Sequence, residues 1–340
     1  MIVEPRAPLR ILLITFNYPQ ITESYIEAEV VFLRSLGFEV FVWAQTVAPA
    51  PGPLRDDIGC ATGVPLDPIV ARFKPDLIHV HWMLWELNVL DFLGRYGKPL
   101  TVRVHTDTSN ERLQRYAAHP AVKRIYGYPG DGERFQFAHR KWVEMPISVT
   151  RPLPSALVKN HRLVLRAASE NPRDQTLMVT LARRCPAFEF VLCIGASKHQ
   201  DALETRPLLT AALGDAAPHN LRIMWNQSPD KMSVWFAQAG IYLHTFVPGK
   251  IAAMPVSIAE ALVNGCYTLV RNQPRLTLMV GAVGGAYADD EEAFGLLAQT
   301  MHWSDELWRE TAAKSRAWGD AFCADRALLP MIDDWQQLSP

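Results

Sequence analysis

The sequence has almost no net charge. Its 34 lysines and arginines balance 35 aspartates and glutamates, so there is no global basic field for nucleic acid and only a local basic groove stays open. Cysteine is sparse. Cys60, Cys185, Cys193, Cys266 and Cys323 are scattered, with no CxxC pair. The odd count and wide spacing exclude a zinc-ribbon pattern and a disulfide framework, and predict reduced structural thiols in a cytoplasmic protein. No apolar run reaches the roughly 18 residues that a membrane span requires. The opening MIVEPRAPLR is not that of a signal peptide, because the apolar run after it is short and strand-like. No solenoid repeat is visible. No GxGxxG fingerprint occurs either, and Gly281–Gly285 reads as a glycine-rich turn.

What remains is 49% hydrophobic and 20% charged, which predicts a packed core rather than disorder. A chain of 340 residues has room for two domains. Ten tryptophans fit either ordinary packing or surfaces that meet sugar, lipid or protein.

The first half alternates strands and helices. Ile11–Phe16 is an apolar run of the kind buried in a parallel sheet. Thr22 is placed to cap a helix through about Leu36, with Tyr25, Ile26, Val30 and Leu33 on one stripe. Strands are predicted at Phe38–Trp43, Asp76–Trp82 and Pro99–His105, and helices at Pro68–Phe73 and Trp85–Tyr96. Residues 45–66 read as a long connection, and Val149–Ser155, punctuated by prolines, as a linker. The pattern then restarts with strands at Arg162–Arg166, Phe188–Ile194 and Leu221–Trp225. Helices are predicted at Asp174–Arg183, Leu203–Leu213 and Asp230–Ala239, with a helical tract from Glu306 to about Gln337. This alternation predicts parallel sheets covered by helices. Asp289–Glu292 reads as the acidic start of a capped helix rather than a catalytic dyad.

The most telling stretch is Ala239–Val270. Gly240–His244 reads as a strand, residues 245–254 as a loop, and a helix starts at Pro255 and stops at Asn264-Gly265. A loop feeding a helix N-terminus after a strand is a ready anion site. Pro255–Leu262, followed by Asn264-Gly265-Cys266, resembles the donor-site helix of retaining glycosyltransferases of the GT-B fold. In that family two glutamates are separated by seven residues. Glu260 matches the second, which binds the nucleotide ribose, and Ala252 stands where the first would be. Pro19–Glu27 resembles the loop and first helix of members that build bacterial surface polysaccharides. It reads equally as a plain capped helix with Glu23 and Glu27 in solvent.

The resemblance implies an α/β GT-B architecture of two Rossmann-like domains with a cleft between them. Residues 1–153 would hold the acceptor and 154–319 the nucleotide-sugar donor. A C-terminal helix, about 320–340, would return to the first domain. By the same resemblance His105, at the end of Val102–His105, would border the reacting sugar, although a histidine there also simply caps a strand. Arg166 matches a strand-ending arginine, and Arg173 stands near an expected lysine. Both would grip the donor pyrophosphate, a task that suits the guanidinium fork, and both also read as surface charge. Gly249, Lys250, Val256 and Ser257 would contact phosphate, and Glu260 the ribose. The catalytic candidates are thus His105 and Arg166. His79 and His81 share one side of their strand, but the sequence offers no third and fourth ligand, so no metal is expected.

The implied reaction is transfer of a sugar from a nucleoside-diphosphate sugar, UDP or GDP, to a hydroxyl. It would retain configuration without metal or cofactor, and the leaving diphosphate would take the acceptor proton. A glycan, a lipid-linked sugar or a small molecule would be the acceptor; a nucleic acid acceptor stays open, as does peripheral contact with the inner membrane face. Two other classes compete. One is a binding subunit that has lost turnover, which Ala252 favours. The other is a different GT-B-like enzyme: an epimerase, or an inverting transferase with His105 or Asp107 as base.

Overall fold

The computed structural model describes residues 8–46, 58–82, 87–105, 108–152, 158–169, 175–195, 206–207, 209–214, 216–246 and 254–338. They form two fully parallel sheets. The first contains β1 (Arg10–Asn17), β2 (Glu39–Thr46), β3 (Gly59–Thr62), β4 (Leu77–His81), β5 (Leu100–Arg103), β6 (Val122–Gly127) and β7 (Trp142–Glu144), in the order β3-β2-β1-β4-β5-β6-β7. The second contains β8 (Asn160–Ser169), β9 (Glu189–Gly195), β10 (Leu221–Trp225), β11 (Ala239–His244), β12 (Tyr267–Arg271) and β13 (Gly285–Tyr287), in the order β10-β9-β8-β11-β12-β13. Each sheet starts in the middle, winds to one edge, then returns past its first strand to wind to the other.

The central strands carry the most apolar sequence because both their faces are covered. Ile11, Leu12, Leu13 and Ile14 of β1 are all fully buried, and Ile14 is in register with Trp43 on one side and Val80 on the other. On β4 the alternation is chemical: Ile78 and Val80 enter the apolar core on one face, while Leu77, His79 and His81 point to the other.

Several expectations shift. β3 lies inside the stretch read as a connection, and β6, β7 and the helix Asn110–Ala118 occupy a region without a sequence reading. The first helix begins at Ser24 rather than after a Thr22 cap; Glu23 holds the cap position, with no side-chain cap bond. Pro255 likewise sits at the cap, with ψ 120°, and the helix is Val256–Val263. Asp289 does cap Asp290–Thr300, accepting from the Glu292 N–H. The described residues include no helix long and apolar enough to cross a membrane, and all five cysteines are unbridged.

The C-terminal helices tie the two sheets together. Asp305–Gly319 packs on Val256–Val263, and Leu329–Leu338 packs on β6 of the first sheet. The return passes a parallel bridge between Val149 and Cys323, flanked by Arg151 paired with Asp320 (2.7 Å) and Asp325 (3.0 Å). One apolar core runs through both units here, from Ile147 and Val149 to Leu163 and Phe322. Gly319 permits the closest approach: a Cβ there would stand 2.7 Å from the backbone of Leu262 and Val263. Gly319→Ala is therefore expected to push this helix off the Val256–Val263 helix and cost about 1–3 kcal/mol, read as a lowered melting temperature.

Candidate active site

In a doubly wound sheet the crevice opens where the strand order reverses, at the carboxyl ends. Those points lie between β1 and β4 and between β8 and β11. Residues following these strands line one cleft of about 890 Å³ between the two units, a size within the roughly 300–1,000 Å³ of small-molecule sites. Glu23, Trp82, His105 and Tyr128 border it from the first unit; Ala168, Gly195, Gln227 and Ser257 border it from the second.

On the second side the N-terminus of the helix Val256–Val263 opens onto the cleft, and Val256, Ser257 and Glu260 line it. Free N–H groups and the helix dipole favour an anion there. Arg166 takes a different place from the open phosphate grip suggested by its position at a strand end. It is fully buried, and the cleft is lined by its neighbours Ala167 and Ala168. Its Nε donates to Thr245 Oγ1 (3.0 Å), Nη2 to the Thr245 carbonyl (3.2 Å), and Nη1 to the Ala167 carbonyl and the Tyr242 hydroxyl (2.8 Å). Tyr242 in turn donates to Ser257 Oγ (2.6 Å). Arg166 thus leads by two hydrogen bonds to the helix N-terminus, and no carboxylate pairs with it among the described residues. Arg173, Gly249 and Lys250, like Ala252 and Asp107, lie outside the described residues.

Glu260 sits one turn into the helix and spans the cleft: Ser24 Oγ, at the start of the first helix, donates to its Oε1 at 2.8 Å. Burial raises the Glu260 pKa, and the Ser24 hydrogen bond opposes it.

On the first side, six buried side chains with polar groups form one connected group. Glu29, on the inner stripe of the first helix, places Oε1 3.2 Å from His81 Nε2 and 3.4 Å from His79 Nε2. His79 Nδ1 meets Thr101 Oγ1 at 2.8 Å. His81 Nδ1 meets His105 Nε2 at 2.8 Å, and His105 Nδ1 meets the Tyr128 hydroxyl at 2.8 Å. Both ring nitrogens of His105 are therefore engaged, and the ring, 4% exposed, borders the cleft between Tyr25 and Trp82. Trp82 closes β4 with φ 71°, a strained backbone for a bulky residue and a kind of strain that collects at functional sites. The sequence anticipated the shared side of His79 and His81 but not Glu29. The available signal was an acid on the stripe between Ile26 and Leu33.

The donor atoms of Glu29, His79 and His81 lie within 4.8 Å of one another. A fixed cation is already in place, because Arg103 Nη1 stands 3.8 Å from Glu29 Oε2. A cation held there would sit beside that guanidinium, whose charge opposes it.

Burial alone would raise the Glu29 pKa; His81, His79 and Arg103 outweigh it and hold the carboxyl down at about 2. Burial pushes His79 down to about 3, against the attraction of Glu29. Both groups bind protons more readily once unfolded, so both cost stability in acid. His79 does so as pH falls from 6.5 towards 3, and Glu29 as it falls from 4.5 towards 2. Glu23 has the opposite sign. Burial raises it to about 7, with Trp82 opposing, so its contribution is present below pH 4.5 and lost as pH rises to about 7. Glu23→Gln is expected to melt higher than the parent at pH 8, by about 1–2 kcal/mol, and with little difference at pH 4. A constant difference across that range would refute the assignment.

No family model and no curated protein sequence matches this chain. Solved structures do. The sucrose-phosphate synthase of Thermosynechococcus elongatus is 16% identical and superposes over 97% of this chain and 99% of its own, with a TM-score of 0.75. Anabaena Alr3699/HepE, solved with UDP-glucose, is 14% identical over 97% and 100%, at 0.72. A glycosyltransferase from Rickettsia africae ESF-5 is 11% identical over 97% and 98%, at 0.71. At these identities the likeness establishes the fold: two Rossmann-like units in the GT-B arrangement.

Proposed function

We propose that this protein is a glycosyltransferase that moves a sugar from a nucleoside-diphosphate sugar to a hydroxyl acceptor. The observation that carries the reading is the Val256–Val263 helix, which aims its N-terminus into the cleft and places Glu260 one turn behind it. Diphosphate suits the N-terminus, and a carboxylate one turn on suits the paired hydroxyls of a ribose. Arg166 supports it: a buried guanidinium that no carboxylate among the described residues pairs with, linked through Tyr242 to Ser257, adds positive potential where a diphosphate would lie. Val256 and Ser257 offer main-chain donors, and by the family resemblance Arg173, Gly249 and Lys250, outside the described residues, would join them. The first unit, with His105, would receive the acceptor.

UDP is the first donor base to test, because the Anabaena protein was solved with UDP-glucose. Retention and independence of metal complete the proposal. The second reading, binding without turnover, rests on Ala252 in place of the first family glutamate.

The test is a thermal-shift panel of UDP, GDP, ADP, CMP and dTDP sugars in EDTA, followed by an assay for released nucleoside diphosphate. A ligand at a hundred times its Kd stabilises by about 2.7 kcal/mol. A shift with release supports the transferase, a shift without release supports the binding protein, and no shift with any sugar removes both.

A further inference from the structure

We infer that the acceptor carries a protonated amine, and that Glu23 and Tyr25 form the site that binds it. This rests on the transferase reading, which gives the first unit to the acceptor, but its observations lie apart from the donor helix.

The first observation is a pair of oxygens without partners. Glu23 and Tyr25 flank Ser24 where the first helix begins, and both line the cleft. Tyr25 is 5% exposed, and its hydroxyl has no hydrogen-bond partner among the described residues. Glu23 Oε2 is also buried without one. Buried polar atoms are normally satisfied, so two such atoms on one wall mark the place of a group that the free protein does not supply. Both oxygens can accept a hydrogen. A hydroxyl has one hydrogen to give, and an ammonium has three.

The second observation is charge. Among the described residues that line the cleft, Glu23, Glu27, Asp230 and Glu260 are acidic and Arg151 alone is basic. Arg151 is held by Asp320 (2.7 Å) and Asp325 (3.0 Å). A nucleoside diphosphate adds further negative charge, which the helix N-terminus and Arg166 meet on the second wall. On the first wall a cationic acceptor supplies the balance.

The neighbours of Glu23 leave room for that charge. Burial lifts its pKa to about 7, and the Trp82 side chain opposes this. His105, on the same wall, is held neutral by burial. Arg103 donates to the Pro146 carbonyl (2.6 Å) and stands 3.8 Å from Glu29. Burial, and then Glu23, push the Tyr25 pKa well above its usual value, so Tyr25 stays a hydroxyl. From the second unit Glu260 adds a carboxyl, bonded to Ser24 at 2.8 Å. An ammonium facing Glu23 therefore meets acids and neutral rings. Glu23 positions the acceptor and takes no part in the transfer. The nucleophile is a hydroxyl elsewhere on the acceptor, and its proton leaves with the diphosphate.

The test is calorimetric titration of the full chain at pH 7 in EDTA, with and without the best donor of the panel. The probes are 6-amino-6-deoxyglucose, its N-acetyl form and glucose. The amine is expected to bind at least about tenfold tighter than the other two, as a charge-assisted hydrogen bond would give. Its binding is expected to release about half a proton, because Glu23 with a pKa of about 7 is half protonated in the free protein. Two buffers of different ionisation heat read that release. Glu23→Gln is expected to abolish both the preference and the release. Tyr25→Phe is expected to weaken the amine and leave glucose unchanged. Equal or undetectable binding of all three probes overturns the site. So does a preference that survives Glu23→Gln, or amine binding without proton release. An empty donor panel beside a bound amine removes the transferase reading and leaves the amine site, whereas a donor shift without amine preference does the reverse.

Discussion

Glu260→Ala is expected to weaken nucleotide-sugar binding by about a hundredfold without unfolding the protein. Two hydrogen bonds from ribose hydroxyls to a carboxylate, at about 1.5 kcal/mol or more each, amount to about 3 kcal/mol. The fold tolerates the change because Glu260 lines the cleft, and among the described residues its side chain bonds Ser24 alone. Ser24 makes the prediction specific. Its hydroxyl occupies one of the acceptor positions on Glu260 that a ribose hydroxyl could take. Ser24→Ala removes that competitor and is expected to leave donor affinity equal or slightly higher. Calorimetric titration of both variants with the best donor decides it. Equal loss in both would mean that the Ser24–Glu260 bond holds the cleft in shape and Glu260 does not touch the nucleotide.

Trp335→Ala is expected to cost about 3–5 kcal/mol, lowering the melting temperature by about 6–15 °C. Trp335 is fully buried and its ring lies 5.0 Å from that of His79. The next residue back, Asp334, accepts from Arg124 Nε (2.8 Å) and Tyr126 (3.3 Å), and so fixes the helix on β6. Removing the indole leaves a void beside a neutral imidazole. Water entering it relieves the burial that holds the His79 pKa down, so that value is expected to rise towards 6.5 in the variant. Trp335→Phe, which fills most of the space, is expected to recover more than half of the lost stability. Thermal melts and histidine NMR together check both parts.

The sequence was legible where one residue type has one physical reason to be where it is. Ile11–Ile14 reads as a buried strand because nothing in it tolerates water. His79 and His81 read as same-sided because strand alternation leaves no choice. Pro255 and Gly265 bracket a helix because proline's fixed φ suits its start and glycine accepts the left-handed turn that ends it, with φ 75°. Legibility failed where a side chain's fate is set by a distant partner. Glu29 carries no signal of its own until two imidazoles and a guanidinium meet it. Arg166 reads as an open phosphate grip or a surface charge until Tyr242 and Thr245 enclose it. β6 escaped notice because Lys123 and Arg124 mask its apolar residues; Arg124 is there for Asp334, 210 residues on.

The return of Leu329–Leu338 to the first sheet has a consequence for biosynthesis. The first unit is made first and completed last. While residues 158–300 emerge from the ribosome, β6 and the histidine side of β4 wait without Trp335, Met331 and Ile332, which cover them in the finished molecule. The second unit has its own sheet and a core of its own, from Val164 to Trp308, all of it made before the last helix. The last helix then seals both, and a chain released a few residues short of Trp335 leaves the ribosome with the buried Glu29 network exposed.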